Sequence, residues 1–141
     1  MILFCDTSAL VKLYVHEDGT DAVIEQAGAS DIVAVSRVAW VEAMSAMARR
    51  SREQAQDAAA IAQARQRLIA DWPHYLVLEI TQELVELAGD YAEAFALRAY
   101  DSVQLASAHL VHQAMPGEVV FACYDSRLVK AARALGLQSL G

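Results

Sequence analysis

Apolar residues in this chain follow two rhythms. Four short, nearly unbroken runs, residues 2–5, 32–36, 75–80 and 119–122, have the length and β-branched content of buried strands. Between them, apolar positions recur every three to four residues. That spacing predicts helices over residues 8–14, 20–27, 37–50, 54–71, 82–97, 101–113 and 126–135. Local signals agree with several boundaries: Ser36 and Thr81 can cap the helices that follow them, Pro73 stands where the long Ala-rich helix must stop, and Gly136 occupies a C-terminal cap position. Strand alternating with helix predicts an α/β protein, a three-layer α/β/α sandwich around a central parallel sheet with right-handed crossovers.

Length and composition narrow this picture. A chain of 141 residues suits one compact domain over residues 1–141, and 56% hydrophobic against 21% charged residues is far from the signature of disorder. No apolar run reaches the roughly 18 residues of a membrane span, and the opening Met1-Ile-Leu-Phe-Cys-Asp6 lacks the pattern of a signal peptide. A cytoplasmic protein without membrane attachment is the expectation. Cys5 and Cys123 both read as buried strand residues and form no Cys-x-x-Cys pair, which fits a reducing compartment; a disulfide between them is geometrically open if their strands are neighbours.

The candidate chemistry is acidic. Asp6 and Asp125 follow the first and last predicted strands, Asp101 opens an otherwise apolar helix, and Glu42 falls on a helical stripe with Val38, Val41 and Ser45, the side on which that helix should pack. Each has a structural alternative. Asp6 and Asp101 are ordinary helix caps, and a buried Glu42 could pair with Arg98 or Lys12. As a set, four such residues at the carboxyl ends of parallel strands suggest a site, because open parallel sheets gather ligands there. Only hard oxygen ligands are available, so Mg²⁺ or Mn²⁺ is the expected metal; His16, His74, His109 and His112 show no ligand pattern. The net charge of −7 argues against a nucleic-acid partner at first sight, but four of those units belong to the carboxylates that bound cations would neutralise.

Thr7, Ser8 and Ser126 stand beside the acids as hydroxyls able to cap helices or orient a carboxylate. Arg127 sits in a first helical turn, where a cation opposes the helix dipole and needs a compensating partner such as a phosphate or Asp125. Arg49 lies seven residues past Glu42 on nearly the same face, roughly 10 Å along the axis, and Arg50 and Arg52 extend that cluster. Trp40, Met44 and Met47 form a second apolar stripe, opposite Glu42, for which core packing competes with a subunit or partner contact.

Four segments resemble those of the PIN-domain ribonucleases, and within them the VapC-type toxins of bacterial toxin–antitoxin pairs. They are Asp6-Thr-Ser-Ala-Leu-Val-Lys-Leu-Tyr14, Ser36-Arg-Val-Ala-Trp-Val-Glu42, Tyr100-Asp-Ser-Val-Gln-Leu-Ala-Ser-Ala108 and, less regularly, Cys123-Tyr-Asp-Ser-Arg-Leu128. The resemblance covers nearly the whole chain and implies a PIN-like fold. It also implies metal-dependent cleavage of RNA by Asp6, Glu42, Asp101 and Asp125, a small antitoxin partner that occludes the site, and a homodimer. The family often carries Thr or Ser where this chain has Cys123. A thiol is a weaker hydrogen-bonding group, which puts the positioning of Asp125 in question. Two other functions compete: aspartyl phosphotransfer, whose expected Asp-x-Asp pattern is broken by Ser8, and a PIN-like scaffold with a degenerate site that binds other proteins.

Overall fold

The computed structural model describes all residues, 1–141. Five parallel strands form one sheet: β1 (Ile2–Cys5), β2 (Ile32–Ser36), β3 (Leu76–Leu78), β4 (Val119–Ala122) and β5 (Gln138–Leu140), in the order β3-β2-β1-β4-β5. Seven helices flank it: α1 (Thr7–Lys12), α2 (Thr20–Ala29), α3 (Ala39–Glu53), α4 (Ala58–Asp71), α5 (Gln82–Phe95), α6 (Ala99–Ala114) and α7 (Ser126–Ala134). None of them is long and apolar enough to cross a membrane.

The side-chain alternation of a strand explains the layers. Leu3, Cys5, Val35, Val120 and Ala122 face a core shared with Leu10 of α1, Val23 of α2, Met47 of α3 and Leu68 of α4. Ile2, Phe4, Ala34 and Phe121 point the other way, onto Leu105 of α6 and Leu128 of α7. Phe4 and Phe121 are fully buried neighbours across the β1–β4 register, with ring centroids 5.9 Å apart. α5 lies outermost, packing Leu84 and Ala88 against Val103 and Ala106 of α6.

Several sequence expectations shift. A fifth strand, β5, lies at the edge; its short Gln-Ser-Leu segment carries no apolar run to announce it, and three residues of pairing to β4 suffice to place it. The expected strand over residues 75–80 shortens to Leu76–Leu78, and the helix expected from residue 54 begins with a 3₁₀ turn, Ala55–Asp57, before α4. Thr81 caps α5, its Oγ1 accepting from the Leu84 amide at 3.1 Å; Ser36 Oγ accepts from the Val38 amide at 3.3 Å but does not cap α3, which begins at Ala39 with Val38 before it rather than at Arg37. Gly136 follows α7 at φ 85°, a left-handed conformation that glycine adopts without a Cβ penalty.

The order of the strands positions the site. From β1 the chain builds outward through β2 to β3, then returns to β1's other side for β4 and β5. The switch point lies between β1 and β4, where diverging connections leave a crevice beyond the strand ends.

Candidate active site at the switch point

Asp6 directly follows β1 and is bonded across the switch point, its amide donating to the Ala122 carbonyl at 3.0 Å. It is buried and caps α1, Oδ2 accepting from the Ser8 amide at 3.2 Å and the Ser8 hydroxyl at 2.7 Å. The Cys123 thiol adds a third contact to Oδ2 at 3.5 Å. Burial pushes the Asp6 carboxyl above the usual carboxylate range against the lowering effect of these bonds, and the nearby charge of Glu42 raises it further. No cationic side chain pairs with it.

Glu42 reaches the same crevice from the first turn of α3. Oε1 accepts from the Thr7 hydroxyl at 2.8 Å and from the Gln104 amide at 2.9 Å, and Gln104 also donates to Thr7 Oγ1 at 3.0 Å. The salt bridge weighed from sequence is not made: Lys12 pairs with Glu17 at 3.1 Å, and Arg98 pairs with Asp101 at 3.5 Å. The expected packing stripe holds only at its start, where Val38 is buried, and fails along α3 itself. Val41 is 57% exposed and Ser45 is exposed, while Ala39, Ala43 and Met47 are buried. The Trp40 stripe is core of this same chain. Met47 packs in the core with Ile61, Ala64 and Leu68 of α4, and Trp40 meets Trp72 edge-on at 5.1 Å between centroids.

Asp101 is not a cap, because α6 begins at Ala99 and places it in the first turn. Asp125 is one: Oδ1 accepts from the amides of Arg127 at 3.0 Å and Leu128 at 3.2 Å. Its own amide donates to Cys123 Sγ at 3.4 Å. The thiol therefore stands between the two aspartate loops. It serves both, although it is longer-ranged than a hydroxyl; burial first, and the charge of Asp6 second, keep it protonated and able to donate. Cys5 ends β1, whereas Cys123 lies just past the end of β4 rather than in it; both are buried free thiols, with no disulfide.

A common pattern links the four acids. Each has one oxygen engaged within the chain and a second that accepts no hydrogen bond: Asp6 Oδ1, Glu42 Oε2, Asp101 Oδ1 and Asp125 Oδ2. Asp101 and Asp125 line one cleft of about 450 Å³ with Arg98, Ser126 and Arg127. Glu42 lines a second groove with Val41, Ser45, Arg49 and Tyr100. As the side chains stand, no three acidic, histidine or cysteine groups close into a chelate. The donor set still suits a hard divalent cation. It is all carboxylate oxygen, and the buried Asp6 and its neighbour Glu42 lack any basic partner.

The other candidates divide. Thr7 and Ser8 hold carboxylates directly, whereas Ser126 lines the cleft without a side-chain bond. Arg49 and Arg127 are exposed and form no ion pair, Arg127 in the Asp101–Asp125 cleft and Arg49 in the Glu42 groove. Arg50 turns away to Asp57 at 3.3 Å. Gln104 was not a candidate from sequence. A lone amide within an otherwise apolar stretch of α6, three residues past Asp101, was the available signal.

An acidic crevice at the switch point of a five-stranded parallel sheet, between two helical layers, defines the class. Residues 3–134 match the PIN domain, and the chain belongs to that family. Among its relatives, ribonuclease VapC45 and ribonuclease VapC49 of Mycobacterium tuberculosis, from strains CDC 1551 / Oshkosh and H37Rv respectively, are each 34% identical over 135 residues, spanning 96% of this chain and 92% of theirs. Solved structures share the fold at lower identity. PAE2754 from Pyrobaculum aerophilum superposes with a TM-score of 0.67 at 19% identity, covering 99% of this chain and 89% of that one. VapBC2 from Rickettsia felis, bound to a DNA fragment from its promoter, gives 0.67 at 12% identity with both chains fully covered. A toxin–antitoxin complex from Klebsiella pneumoniae gives 0.61 at 19% identity, covering 89% and 88%.

Proposed function

We propose that residues 1–141 act as one nuclease domain, a Mg²⁺- or Mn²⁺-dependent endoribonuclease that serves as the toxin of a VapBC-type toxin–antitoxin pair. The observation that supports this reading is the set of four acids: Asp6, Glu42 and Asp125 each have one oxygen held by hydrogen bonds, Asp101 has only Arg98 at 3.5 Å, and Asp6 and Glu42 have no basic partner. A divalent cation held by Asp6, Glu42 and Asp101 would neutralise charge on the phosphate, acidify the attacking water and assist the leaving oxygen. Ser8 and Cys123 fix the rotamer of Asp6, and Thr7 and Gln104 fix that of Glu42, so both present an open oxygen without a search among rotamers. Asp125, capped on its helix, orients the attacking water and accepts its proton. Arg127 and Arg49 meet phosphates on either side of the cut.

The partner and setting follow from the likeness to the VapC ribonucleases: cellular RNA as substrate, a small antitoxin protein that covers the crevice, a homodimeric toxin, and the cytoplasm as compartment. The test is incubation of the purified chain, freed of any co-purifying protein, with total cellular RNA in Mg²⁺ or Mn²⁺, beside EDTA and Asp101→Asn controls. Discrete fragments that require both metal and Asp101 are expected. Fragments that persist in EDTA or in the variant would remove the acidic crevice from the reaction.

A further inference from the structure

The two clefts that flank the acids differ in chemistry. The Asp101–Asp125 side is polar, and its basic residues are Arg98 and Arg127. The groove on the Glu42 side, about 330 Å³, brings together an aromatic ring, an aliphatic side chain and a cation: Tyr100, Val41 and Arg49. Tyr100 is 59% exposed and Val41 57% exposed, the two most exposed large hydrophobic residues of the chain. Neither contributes to the core clusters, and Tyr100 makes no aromatic contact or hydrogen bond. Glu42 itself lines this groove beside Val41 and Tyr100, so the apolar lining reaches one of the candidate acids.

We infer that this groove is a nucleotide subsite, in which a single-stranded base next to the scissile phosphate stacks on Tyr100 against Val41 while Arg49 meets the adjoining phosphate. The inference rests on the nuclease reading and adds to it an asymmetry. The Tyr100 side reads a base, and the Arg98–Arg127 side touches only backbone. Three features favour this occupant over a protein segment. The groove is continuous with a carboxylate of the reaction centre, it supplies one unpaired cation for one phosphate, and its volume is that of a nucleotide rather than of a helix. Aromatic stacking suits a strand whose bases are unpaired, since a base inside a duplex has no free face to offer. A hydrophobic ring recognises a π-face of any base, so preference at this position comes from stacking strength and the fit against Val41.

The experiment measures fluorescence anisotropy of a 5′-labelled, mixed-sequence 12-nucleotide single-stranded RNA in EDTA at low salt, where the metal-dependent reaction is silent. It compares the unaltered protein with Tyr100→Phe, Tyr100→Ala and Arg49→Ala. The same proteins then cut total RNA in Mg²⁺, with the fragment ends sequenced. Tyr100→Ala should weaken binding by about 10-fold and flatten the base preference beside the cut, whereas Tyr100→Phe, which keeps the ring, should bind within about 2-fold of the unaltered protein. Arg49→Ala should weaken binding and reduce its salt dependence without changing the base preference. Equal binding and an equal cut-site profile for Tyr100→Ala would overturn the subsite, as would no RNA binding by the unaltered protein. The nuclease reading fails separately: RNA left intact by the unaltered protein in Mg²⁺, with binding still dependent on Tyr100, would retain the subsite and remove the cleavage.

Discussion

A carboxylate with one oxygen tied down is a directional ligand, and at this site the tethers come from residues that do no chemistry. Gln104 is fully buried, yet its Oε1 has no partner while its Nε2 serves Thr7 and Glu42. Such a residue costs stability, because an unpaired buried acceptor forfeits its hydration. Gln104→Leu should therefore leave the melting temperature unchanged or raised while lowering RNA cleavage by roughly 10–100-fold, as loss of a ligand's outer partner does. A fall in both together would make Gln104 a packing residue. Asp6 carries a related cost with a pH signature. Burial raises its carboxyl pKa, so below the ordinary value near 4 the folded and unfolded chains are equally protonated and Asp6 costs the fold nothing. As pH rises through the raised value, the fold must hold a charge it disfavours, and stability is lost. Asp6→Asn should raise the melting temperature in EDTA at neutral pH, with the gain shrinking toward zero as the pH is lowered to about 4.

At the scale of elements, α3 carries the most consequence, since it brings Glu42, Val41 and Arg49 to the crevice and is held by its opposite face against α4. Met47 is 2% exposed at that contact. Met47→Ala should destabilise the isolated chain by about 2–4 kcal/mol in a denaturant titration, the usual cost of truncating a buried Met. A loss under about 0.5 kcal/mol would mean that a partner, not α4, covers this face. From sequence alone α3 was legible as a helix but not as an oriented one. Both of its stripes are apolar, and only the arrival of the α4 hairpin, some twenty residues later, decides which is buried. Asp6 and Asp125 were readable because strand-to-helix junctions in a parallel sheet are marked by apolar runs that stop abruptly. Asp101 was readable as an acid, but the helix was expected to start at it rather than at Ala99, since the turn before it, Ala99–Tyr100, carries no start signal. β5 and Gln104 were hidden for one reason: each is polar where the surrounding pattern sets the expectation, and their partners lie far along the chain.

For the molecule as a whole, the strand order sets two acids against each other: the charge of Glu42 adds to the burial that raises Asp6. Asp101 and Asp125 line a separate cleft, in a chain already at −7; Lys12 serves Glu17 and Arg98 serves Asp101, so no cation pairs with Asp6 or Glu42. Folding assembles this repulsion and unfolding releases it. A divalent cation that binds the folded crevice and not the dispersed acids therefore stabilises by linkage, about 1.4 kcal/mol at tenfold its dissociation constant. For a domain of this size that corresponds to a rise of roughly 3–5 °C in melting temperature. Millimolar Mg²⁺ or Mn²⁺ should produce such a shift, Ca²⁺ should follow if oxygen coordination alone matters, and matched ionic strength of NaCl should not. The shift should fall sharply in Asp6→Asn, which has already relieved the repulsion, and in Asp101→Asn. Equal shifts in all three chains would place the cation elsewhere on the acidic surface and leave the crevice without a metal to hold.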